Sequence, residues 1–419
     1  MRIAFISAGF YADGDGNTSA TQNDSTHIYI HNVATNLVAL GHEVEGFAPP
    51  QSQQEVLPYT LHPVGSPFRP PKTPVHFVRA ELCYSWSVLQ AVKKLHKERS
   101  YDILQLFSVM FPFLAFAIGA DQALPPMVFT HGGPVQAEEG DSAKERVGFF
   151  PTNWHVSKPM TWGSLLLLSY VLKKVPRIIV GGEMLKDVMV KSFQLQPEKV
   201  VFIRNAVDSD MFRPDIDCSD LRDEYETAGR SVIGCVARVA PYKNQMGILR
   251  AMPEILGRIP DAKLLLVGPL VHAPYVHELD TFIQLHRLEE SVVIAGPVPY
   301  HRLPHYYNLF DIFVLLSTAE GGTTYALLEA MSSGKSFVVS DIPQLREAVR
   351  ESEVGDFVGP FDEKGVAAAV VKSLTDSHLR ARRGQAARET VLRHFDWKQA
   401  ASQVTDVYCQ VLGRAVPSA

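Results

Sequence analysis

Cysteine is scarce in this chain. Four residues in 419, Cys83, Cys218, Cys235 and Cys409, form no C-x-x-C pair, which argues against both a zinc knuckle and a disulfide framework. A basic excess is also missing. Lys and Arg number 40 against 45 Asp and Glu, a formal net charge of −5, so a dedicated nucleic-acid binder is disfavoured. The G-x-x-x-x-G-K-[ST] phosphate loop does not occur. Gly14-Asp15-Gly16 lies too far past the first apolar run to open a G-x-G-x-x-G turn, which leaves a nicotinamide cofactor unsupported. No cluster of His, Cys, Asp or Glu has convincing ligand spacing, so neither a metal nor an organic cofactor is expected. The opening Met1-Arg2-Ile3-Ala4-Phe5-Ile6 is not continued by the apolar region of a signal peptide. The longest apolar run, Ile103 to Ala120, is interrupted by Gln105, Ser108 and Pro112. It divides into a buried strand, Ile103–Phe107, and a buried helix near Phe111–Gly119, pieces of soluble-core length rather than a membrane span. These features together place the chain in a reducing, cytoplasmic compartment as an expectation.

The residues present suit packed cores. Hydrophobic side chains make up 46% and charged ones 20%, and the length suits two or three domains. A strand–helix–strand rhythm runs through both halves. Expected strands in the first half are Arg2–Ile6, Val44–Phe47, Ile103–Leu106, Met127–Thr130, Arg177–Val180 and Val200–Ile203. In the second they are Val232–Ala237, Lys263–Val267, Val292–Ala295, Ile312–Leu316 and Phe337–Val339. Helical periodicity fills the gaps, for instance Ile28, Val33, Leu37 and Leu40 ahead of Gly41. The acidic run from Asp215 to Glu226 reads as a linker. The fold class is therefore α/β: two Rossmann-like, doubly wound domains over 1–205 and 206–395, with a helical end over 396–419. Such sheets bind ligands at the carboxyl ends of their strands, which sets the expectation of a cleft between the domains.

Four groups of residues have the types and positions for chemistry. Arg238 and Lys243 follow the strand Val232–Ala237; a planar fork and a point charge on one strand-to-helix loop suit a diphosphate, although exposed loop cations are ordinary. Glu320-Gly321-Gly322-Thr323-Thr324 leads from a strand into a helix that carries Glu329. Its glycines permit close backbone approach, and free N–H groups at a helix start attract phosphate. Glu329 is placed to accept ribose hydroxyls, or equally to serve as an acid in the first turns of a helix. His131 ends a strand ahead of Gly132-Gly133, a position for contacting a sugar or organising an acceptor, or for a structural hydrogen bond. Glu138, Glu139 and Asp141 come next. With Asp13, Asp15, Gly16 and Asp24 of the long polar segment after the first strand, they give the amino-terminal half an acidic acceptor side. A solvated loop is the plainer reading of that acidity.

Taken in order, these residues resemble a GT-B glycosyltransferase of family 4, the retaining nucleotide-sugar enzymes. The resemblance covers nearly the whole chain and is strongest in Ile233-Gly234-Cys235-Val236-Ala237-Arg238 with Lys243, Leu264–Gly268, Ala295–Pro299, Tyr306-Tyr307-Asn308, Asp311–Val314, Glu320–Gly334 and Val339–Pro343. Glu198-Lys199-Val200 and Asn205-Ala206-Val207-Asp208 match the crossing between domains, and His131 falls where the family keeps a His beside the donor sugar. The resemblance implies that Arg238 and Lys243 neutralise the donor diphosphate and that Glu329 holds the ribose. It implies that Gly322, Thr323 and Thr324 offer N–H groups to the β-phosphate, with Gly321 beside them, that Glu320 binds hydroxyls of the transferred sugar, and that Pro297 and Val298 line the base. It further implies retention without a metal, a UDP-sugar by family frequency, and a final helix over 396–419 that crosses back to the first domain. Three departures stand out. Asp24-Ser25 stands before the first helix where family members often have paired glycines. Eight residues separate Glu320 from Glu329 where the family has seven, so that either Glu320 or Gly321 occupies the first-glutamate position; and Arg204-Asn205-Ala206 replaces the usual Pro-Asn-Gly. The expected activity is hexosyl transfer to a hydroxyl of a small sugar, polyol or aminocyclitol-like acceptor. The alternatives are a nucleotide-sugar epimerase or a non-catalytic nucleotide-binding member on the same fold.

Overall fold

The computed structural model describes residues 1–7, 25–48, 57–65, 74–107, 124–131, 135–136, 146–147, 169–170, 172–320, 323–349 and 354–415. The chain divides into two compact units, Met1–Arg204 with Trp397–Ala419, and Asn205–Asp396.

In the first unit, β1 (Arg2–Ile6), β2 (Glu43–Ala48), β3 (Thr60–Pro63), β4 (Ile103–Phe107), β5 (Met127–His131), β6 (Arg177–Val180) and β7 (Val200–Phe202) form one parallel sheet. The order across it is β3-β2-β1-β4-β5-β6-β7. Parallel sheets need cover on both faces, so their strands read as unbroken apolar runs. Accordingly Ile3, Phe5, Phe47, Leu104 and Phe129 are buried. The final helix, Trp397–Leu412, belongs to this unit, where Trp397 meets Tyr29 edge-on at 5.8 Å. Tyr408 donates to Gln105 Oε1 at 2.9 Å, and Gln105 Nε2 donates to Thr130 Oγ1 at 2.8 Å. A buried glutamine inside an apolar strand is thereby satisfied at both ends.

In the second unit, β8 (Val232–Val236), β9 (Lys263–Val267), β10 (Val292–Gly296), β11 (Ile312–Leu315), β12 (Ser336–Ser340) and β13 (Gly355–Val358) give the order β10-β9-β8-β11-β12-β13, all parallel. Strand side chains alternate between faces, and each strand feeds two cores. Val232, Leu265, Phe313 and Phe337 pack on one face, while Ile233, Leu264, Val314 and Val338 pack on the other.

Three differences from the sequence reading have physical causes. Thr60–Pro63 is an edge strand with only partly buried side chains, so it lacks the apolar run that marks its neighbours. Gly355–Val358 is likewise an edge strand headed by glycine and aspartate. The stretch read as a linker is instead part of the second unit. Within it Cys218 and Leu221 are buried, and Ser219–Glu224 is a short helix. Its charged residues hid two core anchors. The helix expected near Phe111–Gly119 lies outside the described residues. Among the described residues no helix is long and apolar enough to cross a membrane, and all four cysteines are free thiols.

Candidate active site

The strand order of the second unit reverses direction between β8 and β11, the topological switch point at which such sheets leave a crevice. The segments that follow these two strands carry Arg238 and Lys243 on one side and Glu320 on the other. They are tied together: Thr318 donates through N to Tyr242 O at 2.8 Å and through Oγ1 to the same oxygen at 3.3 Å.

After β8 the chain turns through Arg238 into a 3-10 turn, Pro241–Lys243. Asn244 follows in the left-handed region with φ of 50°. Its side chain accepts from Gly247 N at 3.2 Å, capping the helix Gln245–Arg258, and donates to Pro360 O at 2.6 Å. Gln245 Nε2 donates to Arg238 O at 2.9 Å. Gly268, with φ of 141°, lets the neighbouring backbone close in, because a Cβ there would stand 2.2 Å from Ala237 O. The loop bearing the two cations is therefore fixed from several directions. Arg238 is exposed, and its guanidinium has no partner among the described residues. Lys243 is largely buried, and its ammonium donates to Glu320 Oε1, itself buried.

On the other side, Thr323 is buried, and its carbonyl accepts from Asn205 Nδ2 at 2.8 Å. Its Oγ1 has no partner among the described residues. Thr324 caps the helix Tyr325–Ser332, the helix that follows β11 in the chain, by accepting from Leu327 N at 3.3 Å, which satisfies one of the free N–H groups at its start. Glu329 projects from this helix into the unit's interior. Its Oε2 accepts from Tyr307 at 2.8 Å and its Oε1 from Tyr300 at 3.1 Å. Burial raises its carboxyl to about 7, and the two phenol donors oppose that rise without cancelling it. Pro297 and Val298 follow β10. Pro297 is exposed and Val298 buried, just past Gly296, whose φ is 73°.

The other residues singled out stand differently. His131 is the last residue of β5 in the first unit, in register with Val180. Gly16, Asp24, Glu138, Gly321 and Gly322 lie outside the described residues, as do Asp13, Asp15, Glu139 and Asp141. Sequence reasoning missed the two tyrosines on Glu329, the Lys243–Glu320 pair and the bond from Asn205 to Thr323. Only one signal in the chain hints at the first of these. A glutamate amid Ala326-Leu327-Leu328 and Ala330-Met331 has an apolar helix around it, and a buried carboxylate needs donors from elsewhere.

Two units, each built on a parallel sheet with helices, one with cations and carboxylates on the segments after the strands of its switch point, define a doubly wound class of α/β protein. The family model described as glycosyl transferases group 1 matches residues 220–390, and the one described as glycosyltransferase family 4 matches residues 26–211. The chain belongs to glycosyltransferase family 4 and has the GT-B fold. It is similar to the GDP-mannose-dependent alpha-(1-6)-phosphatidylinositol monomannoside mannosyltransferase of Mycolicibacterium smegmatis, 28% identical over 48% of this chain and 54% of that protein. In that match the chain spans only about half of the relative's length. It is also similar to the phosphatidyl-myo-inositol mannosyltransferase of the same organism, 25% identical over 90% of this chain and 87% of the relative. Among solved structures, sucrose-phosphate synthase from Thermosynechococcus elongatus superposes with a TM-score of 0.75 over 99% of both chains at 19% identity, a likeness of fold.

Proposed function

We propose that this protein is a retaining glycosyltransferase that moves a hexosyl unit from a nucleoside-diphosphate sugar to an acceptor hydroxyl. The observation that carries the proposal is the meeting of Lys243, Arg238, Glu320 and the capped start of helix Tyr325–Ser332 around one switch point. Arg238 and Lys243 bind the diphosphate, and the backbone N–H groups at Thr323 and Thr324 receive its outer phosphate, together with Gly321 and Gly322. Glu329 takes the ribose, Pro297 and Val298 the base, and Glu320 hydroxyls of the transferred sugar. His131, at the end of β5, serves the donor sugar and the acceptor.

In the step proposed, the acceptor oxygen bonds to the anomeric carbon on the face from which the diphosphate leaves. The bond from that carbon to the phosphate oxygen breaks with its electron pair, and the departing oxygen takes the acceptor proton. The chain then supplies position and charge stabilisation. No carboxylate is needed as a base, and the fixed cations stand where another enzyme would use a metal. The acceptor is a sugar, polyol or cyclitol hydroxyl; the inositol in the names of both relatives is itself a cyclitol. Gly16, Asp24 and Glu138 belong to the acceptor side of this reading.

The experiment is mass spectrometry of products from UDP-glucose, UDP-N-acetylglucosamine and GDP-mannose, each with and without a panel of cyclitols, simple sugars and phosphatidylinositol. A new glycoside whose anomeric configuration matches the donor supports the proposal. An isomerised nucleotide sugar formed without acceptor establishes an epimerase instead, and nucleotide binding without turnover across the panel a non-catalytic member.

A further inference from the structure

Glu329 is nearly closed off from solvent, yet each of its oxygens is held by a phenol from a different segment. The two phenols are not equivalent. Tyr307 is fully buried in the helix Leu303–Leu309, and its hydroxyl also points to Ala326 O at 3.1 Å. It is a core residue with a polar tip. Tyr300 is only half-buried and begins the 3-10 turn Tyr300–Arg302, directly after Pro297-Val298-Pro299. Its hydroxyl bonds Glu329 and nothing else among the described residues. Its ring rests edge-on against Phe212 with centroids 5.5 Å apart, which holds the phenol in place from below. The segment after β10 that carries Pro297 and Val298 is therefore linked by one hydrogen bond to the carboxylate on the helix Tyr325–Ser332.

A carboxylate has about four lone-pair positions. The tyrosines take one on each oxygen and leave one on each for a ligand. Without Tyr300 the buried carboxylate is held at Oε2 alone, by Tyr307, and Oε1 loses the donor that fixes its direction toward a vicinal diol.

We propose that Tyr300 is a positioning residue that sets nucleotide specificity, orienting Glu329 so that its carboxylate accepts from the ribose hydroxyls and favours ribonucleotides over 2′-deoxyribonucleotides. This rests on the reading of Glu329 as the ribose acceptor.

The test is calorimetric. Dissociation constants of UDP, 2′-deoxy-UDP, GDP and 2′-deoxy-GDP are measured for the full chain and for Tyr300→Phe, Tyr300→Leu and Glu329→Gln, with a thermal melt of each. The wild type is expected to bind the ribonucleotide of at least one pair more tightly. Tyr300→Phe keeps the ring on Phe212 and loses only the hydroxyl, so its melting temperature is expected to fall by no more than the loss of one buried hydrogen bond brings. Its ribo-to-deoxyribo preference is expected to fall roughly two- to tenfold, the worth of one hydrogen bond. Glu329→Gln is expected to remove most of the preference. If Glu329→Gln removes it while Tyr300→Phe keeps it in full, Tyr300 does not position the carboxylate and the inference is wrong, with the ribose reading intact. A fall seen in Tyr300→Leu but not in Tyr300→Phe assigns the effect to packing and overturns the inference in the same way. If Glu329→Gln leaves the preference unchanged, or the wild type has none, the ribose reading and the inference fall together.

Discussion

At the scale of residues, the two cations of the proposed diphosphate site differ in what they already do. Arg238 is exposed and its guanidinium is unpaired among the described residues, whereas Lys243 is the partner of a buried glutamate. Arg238→Ala should therefore weaken nucleoside-diphosphate binding by about 1.5–3 kcal/mol, a charge-assisted contact, with no change in melting temperature. Lys243→Ala should lower both, because it leaves Glu320 buried without its counter-charge. The double change Lys243→Met with Glu320→Gln should recover the melting temperature but not the affinity. Calorimetry and thermal melts of the three proteins check this, and equal melting losses in Arg238→Ala and Lys243→Ala would contradict it. Glu329 makes a pH-dependent prediction. Burial raises its carboxyl from 4.5 to about 7. Between those values the folded protein holds a proton that the unfolded chain has released. The contribution of this group to stability thus falls as pH rises through that window and levels off above about 7. Glu329→Gln lacks the titration, so its stability relative to wild type should grow by on the order of 1–3 kcal/mol from pH 5 to pH 8. A difference that is the same at both pH values would mean that the carboxyl titrates normally.

At the scale of elements, close backbone approaches decide where substitutions are tolerated. Gly384 lies within the helix Ser377–His394, where alanine ordinarily stabilises by about 0.8–1 kcal/mol. Here a Cβ at 384 would stand 2.0 Å from Gly334 O, on the turn that ends the helix of Glu329. Gly384→Ala should reverse the usual sign and destabilise by roughly 1–3 kcal/mol, through overpacking against rigid backbone; chemical denaturation measures it. Gly257, in the helix Gln245–Arg258, has no atom within 4 Å of such a Cβ and serves as the control, with Gly257→Ala expected to be neutral or stabilising. Helices and central strands were legible in the sequence because their apolar residues recur at regular spacing, as in Lys263–Val267 and Trp397–Leu412. The edge strands Thr60–Pro63 and Gly355–Val358 were not, because a strand covered on fewer sides needs fewer apolar residues. The segment from Asp215 to Glu226 was misread for the converse reason, its few buried anchors being diluted by surface acids.

At the scale of the molecule, residues far apart in sequence are joined by few but well-made contacts. Tyr408 and Gln105, separated by 303 positions, share a buried hydrogen bond that ties the last helix to β4. Tyr408→Phe strands the buried amide oxygen and should cost about 1–3 kcal/mol, seen as a lower melting temperature. If fixed cations replace a metal, activity should survive EDTA, and a complete loss restored by Mg²⁺ or Mn²⁺ would overturn that part of the proposed mechanism. The alternation of apolar strands and helices, read from composition and period alone, was enough to determine the α/β class and the parallel sheets, because parallel strands buried on both faces have no other way to be written. The order of motifs from Arg238 to Glu329 was enough to point to the family. Which groups face one another was decided by tertiary structure alone. The tyrosines reach Glu329 from 29 and 22 residues away, and Lys243 reaches Glu320 across 77. A buried carboxylate demands donors, but a sequence states only the demand, and the packing of β10, β9, β8 and β11 in one sheet, with their loops, selects which residues meet it.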